Sequence, residues 1–310
     1  MPRKSLDWTV SPCAYGARGK PMNEIDNINH VGMAVHDLVA TAARYEAMGF
    51  QLTPFSPHSG AWKPGERIQK LGSGNRCVMF ATNYLEILGT ENDGEPPPRL
   101  AGFLNRHQGA HIICFNTETP SALDDRLRRL EIQTSGVIPL QRDIDTPNGV
   151  RTAQFERVQF APDDSPEGYI QAARHLTPDF IYQPRYIAHE NGCTFLSEAC
   201  VATDDAAGFA RKYGRYLGMT AEAYDDLFRF RLPLGSSLVI VPSRRAAELF
   251  PGSQLPPMPA IIAVTFRTHD LAAQHRRLAD RKFTILESRN RISIPAEEAS
   301  GLVVTFEGPV

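Results

Sequence analysis

The chain has 310 residues, 42% of them hydrophobic and 22% charged, with 33 basic residues against 35 acidic ones for a net charge of -2. That balance, with no basic block, excludes an electrostatic nucleic-acid surface, and no apolar run reaches the roughly 20 residues that a membrane-spanning helix needs. The length suits two domains of ordinary size, each burying its own core. The five cysteines, Cys13, Cys77, Cys114, Cys193 and Cys200, are an odd number without a CxxC pair. Disulfides are therefore not expected, and a reducing, cytoplasmic setting is. Residues 1–24 hold Arg3 and Lys4 with no apolar segment behind them, so they read as an N-terminal arm and not as a signal peptide.

From Ile28 the pattern predicts strand, helix, strand, long loop and two further strands. The run Ile28 to Val35 is a strand with His30 set among apolar residues, and Ile28, His30, Gly32 and Ala34 are expected on one face. Asp37 is a suitable N-cap, Leu38, Ala42, Tyr45 and Met48 form a helical stripe, and Gly49 ends it. Residues 50–55 read as the next strand and the Gly- and Pro-containing residues 56–74 as a long loop. The hairpin 76–89 follows, with Tyr84, Glu86 and Leu88 sharing a face. A buried histidine and a buried glutamate each need a partner, and a metal ion would satisfy both.

The same order returns three times. The second copy begins at the strand AHIICFN and carries the helix 120–130, the third begins at SEACVAT, and the fourth at AIIAVTFRT. Comparable positions fall at His30, His111, Glu198 and Ala263. The expected fold class is α+β, with four βαβββ units paired into two domains, each a curved mixed sheet forming a half-open barrel. The first domain is expected over 25–185 and the second, degenerate pair over 193–310.

The runs INHVGMAVHDL, GSGNRCVMFATNYLEILG, GAHIICFN and RHLTPDF…QPRYIAHENG resemble the vicinal-oxygen-chelate superfamily, and within it the glyoxalase-like domain family. The superfamily also includes extradiol ring-cleaving dioxygenases and antibiotic-resistance proteins. The resemblance implies metal ligands on the first and fourth strands of paired units. Carried over, these are His30, Glu86, His111 and Gln171, an N and O donor set suited to Zn, Fe(II), Mn, Ni or Co. Superfamily members more often place a carboxylate at the position of Gln171, and His175, on the same face, is the alternative ligand or an acid/base. Glu86 and His175 are the candidate catalytic residues, and Arg76, Tyr84 and Tyr169 are the candidate substrate contacts.

Three functions follow from the resemblance. The first is a metal-dependent lyase or isomerase acting on a small substrate with vicinal oxygens. The second is an Fe(II)-dependent extradiol-type dioxygenase, using His30, His111 and Glu86 as a two-histidine, one-carboxylate set. The third is a metal-free protein that binds a drug-like molecule. A small molecule is the expected partner, and a monomer or homodimer could each hold a whole site. No phosphate-cradling Gly-rich turn, P-loop or HExxH motif is present to support other chemistries.

Overall fold

The computed structural model describes residues 24–60, 69–90 and 95–309 of the chain. The expected arm at 1–24 lies outside the described residues except for Glu24, whose carboxylate bonds Arg126.

The first half contributes β1 (Ile25–Ala34), α1 (Leu38–Ala47), β2 (Ser56–Gly60), β3 (Gln69–Met79), β4 (Tyr84–Gly89), α2 (Pro98–Leu104), β5 (Gly109–Thr117), α3 (Pro120–Arg129), β6 (Ile138–Thr146), β7 (Gly149–Gln159), β8 (Tyr169–His175) and α4 (Pro178–Ile181). The second half adds β9 (Cys193–Thr203), α5 (Ala206–Leu217), β10 (Glu222–Tyr224), β11 (Leu227–Arg231), β12 (Ser237–Pro242), α6 (Ser243–Leu249), β13 (Ala260–Thr268), α7 (Leu271–Asp280), β14 (Leu286–Ser288), β15 (Arg291–Ile294) and β16 (Val303–Glu307). Two eight-stranded mixed sheets result, ordered β2-β3-β4-β1-β5-β8-β7-β6 and β10-β11-β12-β9-β13-β16-β15-β14. Each is a pair of βαβββ units joined through their first strands, and the fold is α+β with two similar domains. In the first sheet the edge strands β2 and β6 meet, so that the sheet curls nearly closed.

The helices form where the sequence places caps and apolar stripes. Asp37 Oδ1 accepts the Ala40 amide at 2.8 Å to start α1, and Gly218 closes α5 at φ 66°. Strand alternation then sorts the side chains. Val31, Met33, Leu85, Ile87, Ile113, Phe115, Ile170 and Ala172 join one apolar core shared with helices and with the second sheet. His30, Glu86 and Gln171 face the hollow of the first sheet instead. Ile28 departs from the expected face: a register shift between Ile28 and His30 turns it into the core.

The two sheets are tied by polar clamps as well as apolar packing. The Asn83 side-chain amide donates to Leu196 O at 2.8 Å and accepts the Leu196 amide at 3.1 Å. Ser236 Oγ donates to Asn27 Oδ1 at 2.6 Å and accepts the Ile28 amide at 2.7 Å. At another point backbone meets backbone. Gly109 at φ 133° lies against Gly301 at φ 88°, and a Cβ on Gly109 would overlap the Gly301 carbonyl oxygen. Gly109→Ala should therefore cost at least about 2 kcal/mol of stability, combining backbone strain with a steric clash that no flexible side chain can relieve. Urea unfolding reads this directly, and an unchanged midpoint would contradict the close approach.

Candidate metal and substrate site

A cavity of about 210 Å³ occupies the hollow of the first sheet. His30 (β1), His58 (β2), Glu86 (β4), Gln171 and His175 (β8) line it, with Tyr84 beside His30. The parallel register pairs His30 with Tyr84 and Gly32 with Glu86, which brings the histidine and the carboxylate to the same face of adjacent strands.

A chain of amides orients His30. Asn116 Nδ2 donates to the Asp26 carboxylate at 2.9 Å, which leaves Asn116 Oδ1 to accept Asn29 Nδ2 at 3.3 Å. Asn29 Oδ1 can then only accept, so His30 Nδ1 carries the proton it donates at 2.8 Å. The lone pair is left on His30 Nε2, which faces Glu86 Oε2 at 3.8 Å. Burial lowers the His30 pKa to about 4, against the opposing pull of Glu86, so the ring is neutral at pH 7. Its face stacks on Tyr84 with ring centroids 4.7 Å apart.

Glu86 is held from its other oxygen. Asn75 Nδ2 donates to Oε1, and His58 Nε2 stands 3.6 Å from the same oxygen. His58 is in turn fixed by Ser73 Oγ at 3.2 Å and Asn75 at 3.0 Å. Burial alone would raise the Glu86 pKa, but His58, His30 and Arg142 outweigh it and hold the carboxyl below its ordinary value. The carboxylate is thus ionised with Oε2 turned toward the His30 lone pair. Gln171 adds a third donor: its Oε1 is buried with no hydrogen-bond partner.

His30 Nε2 and Glu86 Oε2, with Gln171 on the wall of the same cavity, have the donor chemistry of a divalent-ion site. The His30–Glu86 gap is too wide for a hydrogen bond, and lies within a few tenths of an ångström of the roughly 3–3.5 Å between two donors bound at ~2.1 Å to one ion. A buried, unsatisfied amide oxygen costs about 1–3 kcal/mol, and an ion would remove that cost. Among the described residues, no three His, Cys, Asp or Glu side chains together form a metal cluster, so the set needs its amide.

His111 lies elsewhere. Its Nε2 donates to His107 O at 2.8 Å, and its ring stacks on Phe103 of α2 at 4.8 Å. The registers explain the difference. His30 pairs with Tyr84, whereas Tyr169, the counterpart of Tyr84, pairs with Ile112. The true counterpart of His30 is therefore Ile112, and His111 falls one residue away in an irregular stretch between Gly32 and Met33 of the partner strand. Arg76 also faces away. It pairs with Ile87 on the outer face, donating to Thr53 O at 2.9 Å and Glu46 at 3.0 Å. Tyr169 sits at the border, its hydroxyl bonded by Arg157 and its ring 4.3 Å beneath Arg99.

His175 lines the cavity, packed edge-on to Phe155 at 5.0 Å and against Tyr182 at 5.4 Å. Burial, aided by the charges of His30 and Arg142, lowers its pKa to about 3. It is a neutral ring whose Nδ1 has no partner. His189 is structural: it accepts the Gln51 amide at 3.0 Å and donates to Met79 O at 2.8 Å.

Sequence reasoning missed His58, Ser73 and α2. Residues 56–60 and 69–74 are strand and not loop, although the intervening 61–68 lie outside the described residues. Pro57 hid the edge strand β2, where proline is tolerated, and Gly72 and Gly74 hid the start of β3. Prolines 96–98 likewise read as a break, yet Pro98 opens α2, where the missing N–H costs nothing.

Among the described residues, the second sheet does not repeat this donor set. The counterpart of His30 is Glu198, which accepts Arg229 at 2.6 Å and Arg291 at 2.9 Å. Val239 and Thr305 stand where Glu86 and Gln171 stand in the first sheet, by the same register comparison.

Comparisons with known proteins agree with this architecture. The sequence model of the glyoxalase-like domain matches residues 28–217. A search of curated proteins gives no match. Among solved structures, a hypothetical protein from Staphylococcus aureus superposes with a TM-score of 0.59 at 13% identity, covering 91% of this chain and 99% of its own. A mutant of 4-hydroxymandelate synthase from Streptomyces coelicolor gives 0.55 at 12% identity, covering 93% and 94%. The Mn(II)-bound glyoxalase from Novosphingobium aromaticivorans gives 0.52 at 13%, covering 93% and 83%. At these identities the likeness is one of fold.

Proposed function

Because the chain belongs to the glyoxalase-like domain family, we propose that it is a metal-dependent enzyme of the vicinal-oxygen-chelate superfamily, of lyase or isomerase type. Its substrate is a small molecule with vicinal oxygens. The observation that carries this reading is the His30 Nε2 lone pair standing 3.8 Å from Glu86 Oε2 in a cavity that Gln171, its Oε1 orphaned, also lines. His30, Glu86 and Gln171 would hold a divalent ion there. When bound, such an ion supplies Lewis-acid stabilisation of an oxyanion.

The chain's own residues do the rest. Asn29 keeps the His30 ring aimed, and Asn75 with His58 keeps one Glu86 oxygen occupied so that the other stays available. His175, neutral and unpartnered at Nδ1, lines the cavity and would hydrogen-bond substrate there. Leu88, Leu100, Phe103 and Ile112 exclude water from the other side. The ring-cleavage alternative relied on His111 beside His30, and His111 instead faces His107 and Phe103.

The test is elemental analysis and titration with Mn(II), Fe(II), Zn(II) and Ni(II). About one equivalent of one of these ions per chain is expected. Its absence under every condition would leave the binding-protein reading in place. Asn75→Ala should weaken metal affinity by about 10–100-fold without unfolding the protein, the usual effect of losing an outer partner of a ligand. An unchanged affinity would mean that Glu86 does not need Asn75 to hold its orientation.

A further inference from the structure

The cavity wall carries a charge imbalance that the proposed metal site does not use. Arg99 on α2, Arg142 on β6 and Arg157 on β7 all line it, whereas Glu86 is the one carboxylate among the described lining residues. Guanidinium groups stay charged at any working pH, so the cavity is cationic apart from the ion it would hold.

The three arginines are not equally engaged. Arg157 donates to the Tyr169 hydroxyl, and Arg99 lies over the Tyr169 ring at 4.3 Å. Arg142 has the Phe155 ring at 5.5 Å and no carboxylate in ion-pair range among the described residues. Its Nε is buried without a hydrogen-bond partner. A guanidinium fork with spare donors on the cavity wall matches a carboxylate, which accepts two parallel N–H bonds. The cavity, at about 210 Å³, lies below the ~300–1,000 Å³ of drug-sized pockets, so the molecule it admits is small.

We infer that the substrate is a compact carboxylic acid whose carboxylate is gripped by Arg142 while its vicinal oxygens face the ion that the cavity would hold. The second half of that statement rests on the metal-site reading; the grip itself belongs to the wall.

The probes are 3,4-dihydroxybenzoate and its neutral isostere 3,4-dihydroxybenzamide, titrated calorimetrically into the Mn(II)-supplemented full chain. The acid should bind at least tenfold tighter than the amide. Arg142→Gln should bring the two within twofold of each other while the variant still binds Mn(II), followed by electron paramagnetic resonance. Arg142→Lys, which keeps the charge but not the fork, should retain part of the preference and so separates lost recognition from a damaged wall. Equal binding of acid and amide by the parent, no binding of either, or a preference that survives Arg142→Gln would overturn the inference. If Mn(II) fails to bind but the acid is still preferred through Arg142, the metal reading falls and the carboxylate grip stands. If Mn(II) binds and the preference is absent, the reverse holds.

Discussion

His30→Ala is expected to abolish stoichiometric metal binding. His30 supplies the one nitrogen of the proposed donor set, already in the required tautomer because Asn29 takes its Nδ1 proton. The loss should exceed the about 10–100-fold that removal of an outer partner causes, since a direct donor goes with it. A bound ion also stabilises the fold it binds, by about 2.7 kcal/mol at one hundred times the dissociation constant, and that increment should vanish in the variant. Two readouts check this: Mn(II) titration by electron paramagnetic resonance, and the shift in thermal midpoint on adding metal. The parent should show both and His30→Ala neither, with unchanged circular dichroism. Metal binding that persists in the variant would move the site away from β1 altogether.

Glu198→Ala is expected to produce the largest loss of stability. Glu198 lies buried between Arg229 and Arg291, and Arg291 continues to Glu307 at 2.8 Å. Removing the carboxylate takes away the buried acceptor that Arg229 and Arg291 share, and breaking a buried ion pair costs about 3–5 kcal/mol. Against a total stability of roughly 5–15 kcal/mol this brings the chain close to unfolding. The pH dependence has a definite sign. Burial raises the Glu198 pKa, but Arg291 and Arg229 outweigh it and leave it below the ordinary value. The unfolded carboxyl therefore binds its proton at higher pH than the folded one. The contribution is present above the unfolded pKa of about 4.3 and fades as pH falls through the lower folded value. Urea unfolding of parent and variant should differ most at neutral pH and converge in acid. A constant difference across pH would mean that Glu198 acts through packing and not through charge.

Much of this architecture was legible in the residues. Asp37 capping, the stripe of α1 and the Tyr84–Glu86–Leu88 face follow from elementary periodicity, and the four units followed from repetition of order. Within the site, His30, Glu86, Gln171 and His175 do line one cavity. What escaped were details that a linear repeat does not encode. One irregular residue in the β1–β5 register moved the counterpart of His30 from His111 to Ile112. Arg76 precedes Cys77, the partner of Glu86, and so points outward by simple alternation once the register is known. His58 lay in a segment whose proline and glycines argued for loop, and only its pairing with β3 reveals a strand. Arg142 carries no signal of its own in the sequence, and it lines the cavity from β6, which curling of the sheet brings against β2. Four of the five cysteines are free and buried, as expected of thiols in apolar strands, and Cys13 lies outside the described residues.

The clamp of Ser236 on Asn27 and Ile28 joins residues about two hundred positions apart in the chain. During synthesis β1 emerges long before its partner, so the first sheet must wait with the core face of Val31, Met33 and Leu85 uncovered. Pairings this distant in sequence form slowly, and apolar surface exposed in the interval is prone to self-association. The sheet that carries no candidate site thus decides when the other becomes safe from aggregation, and a first half released alone from the ribosome should depend on chaperones to stay in solution.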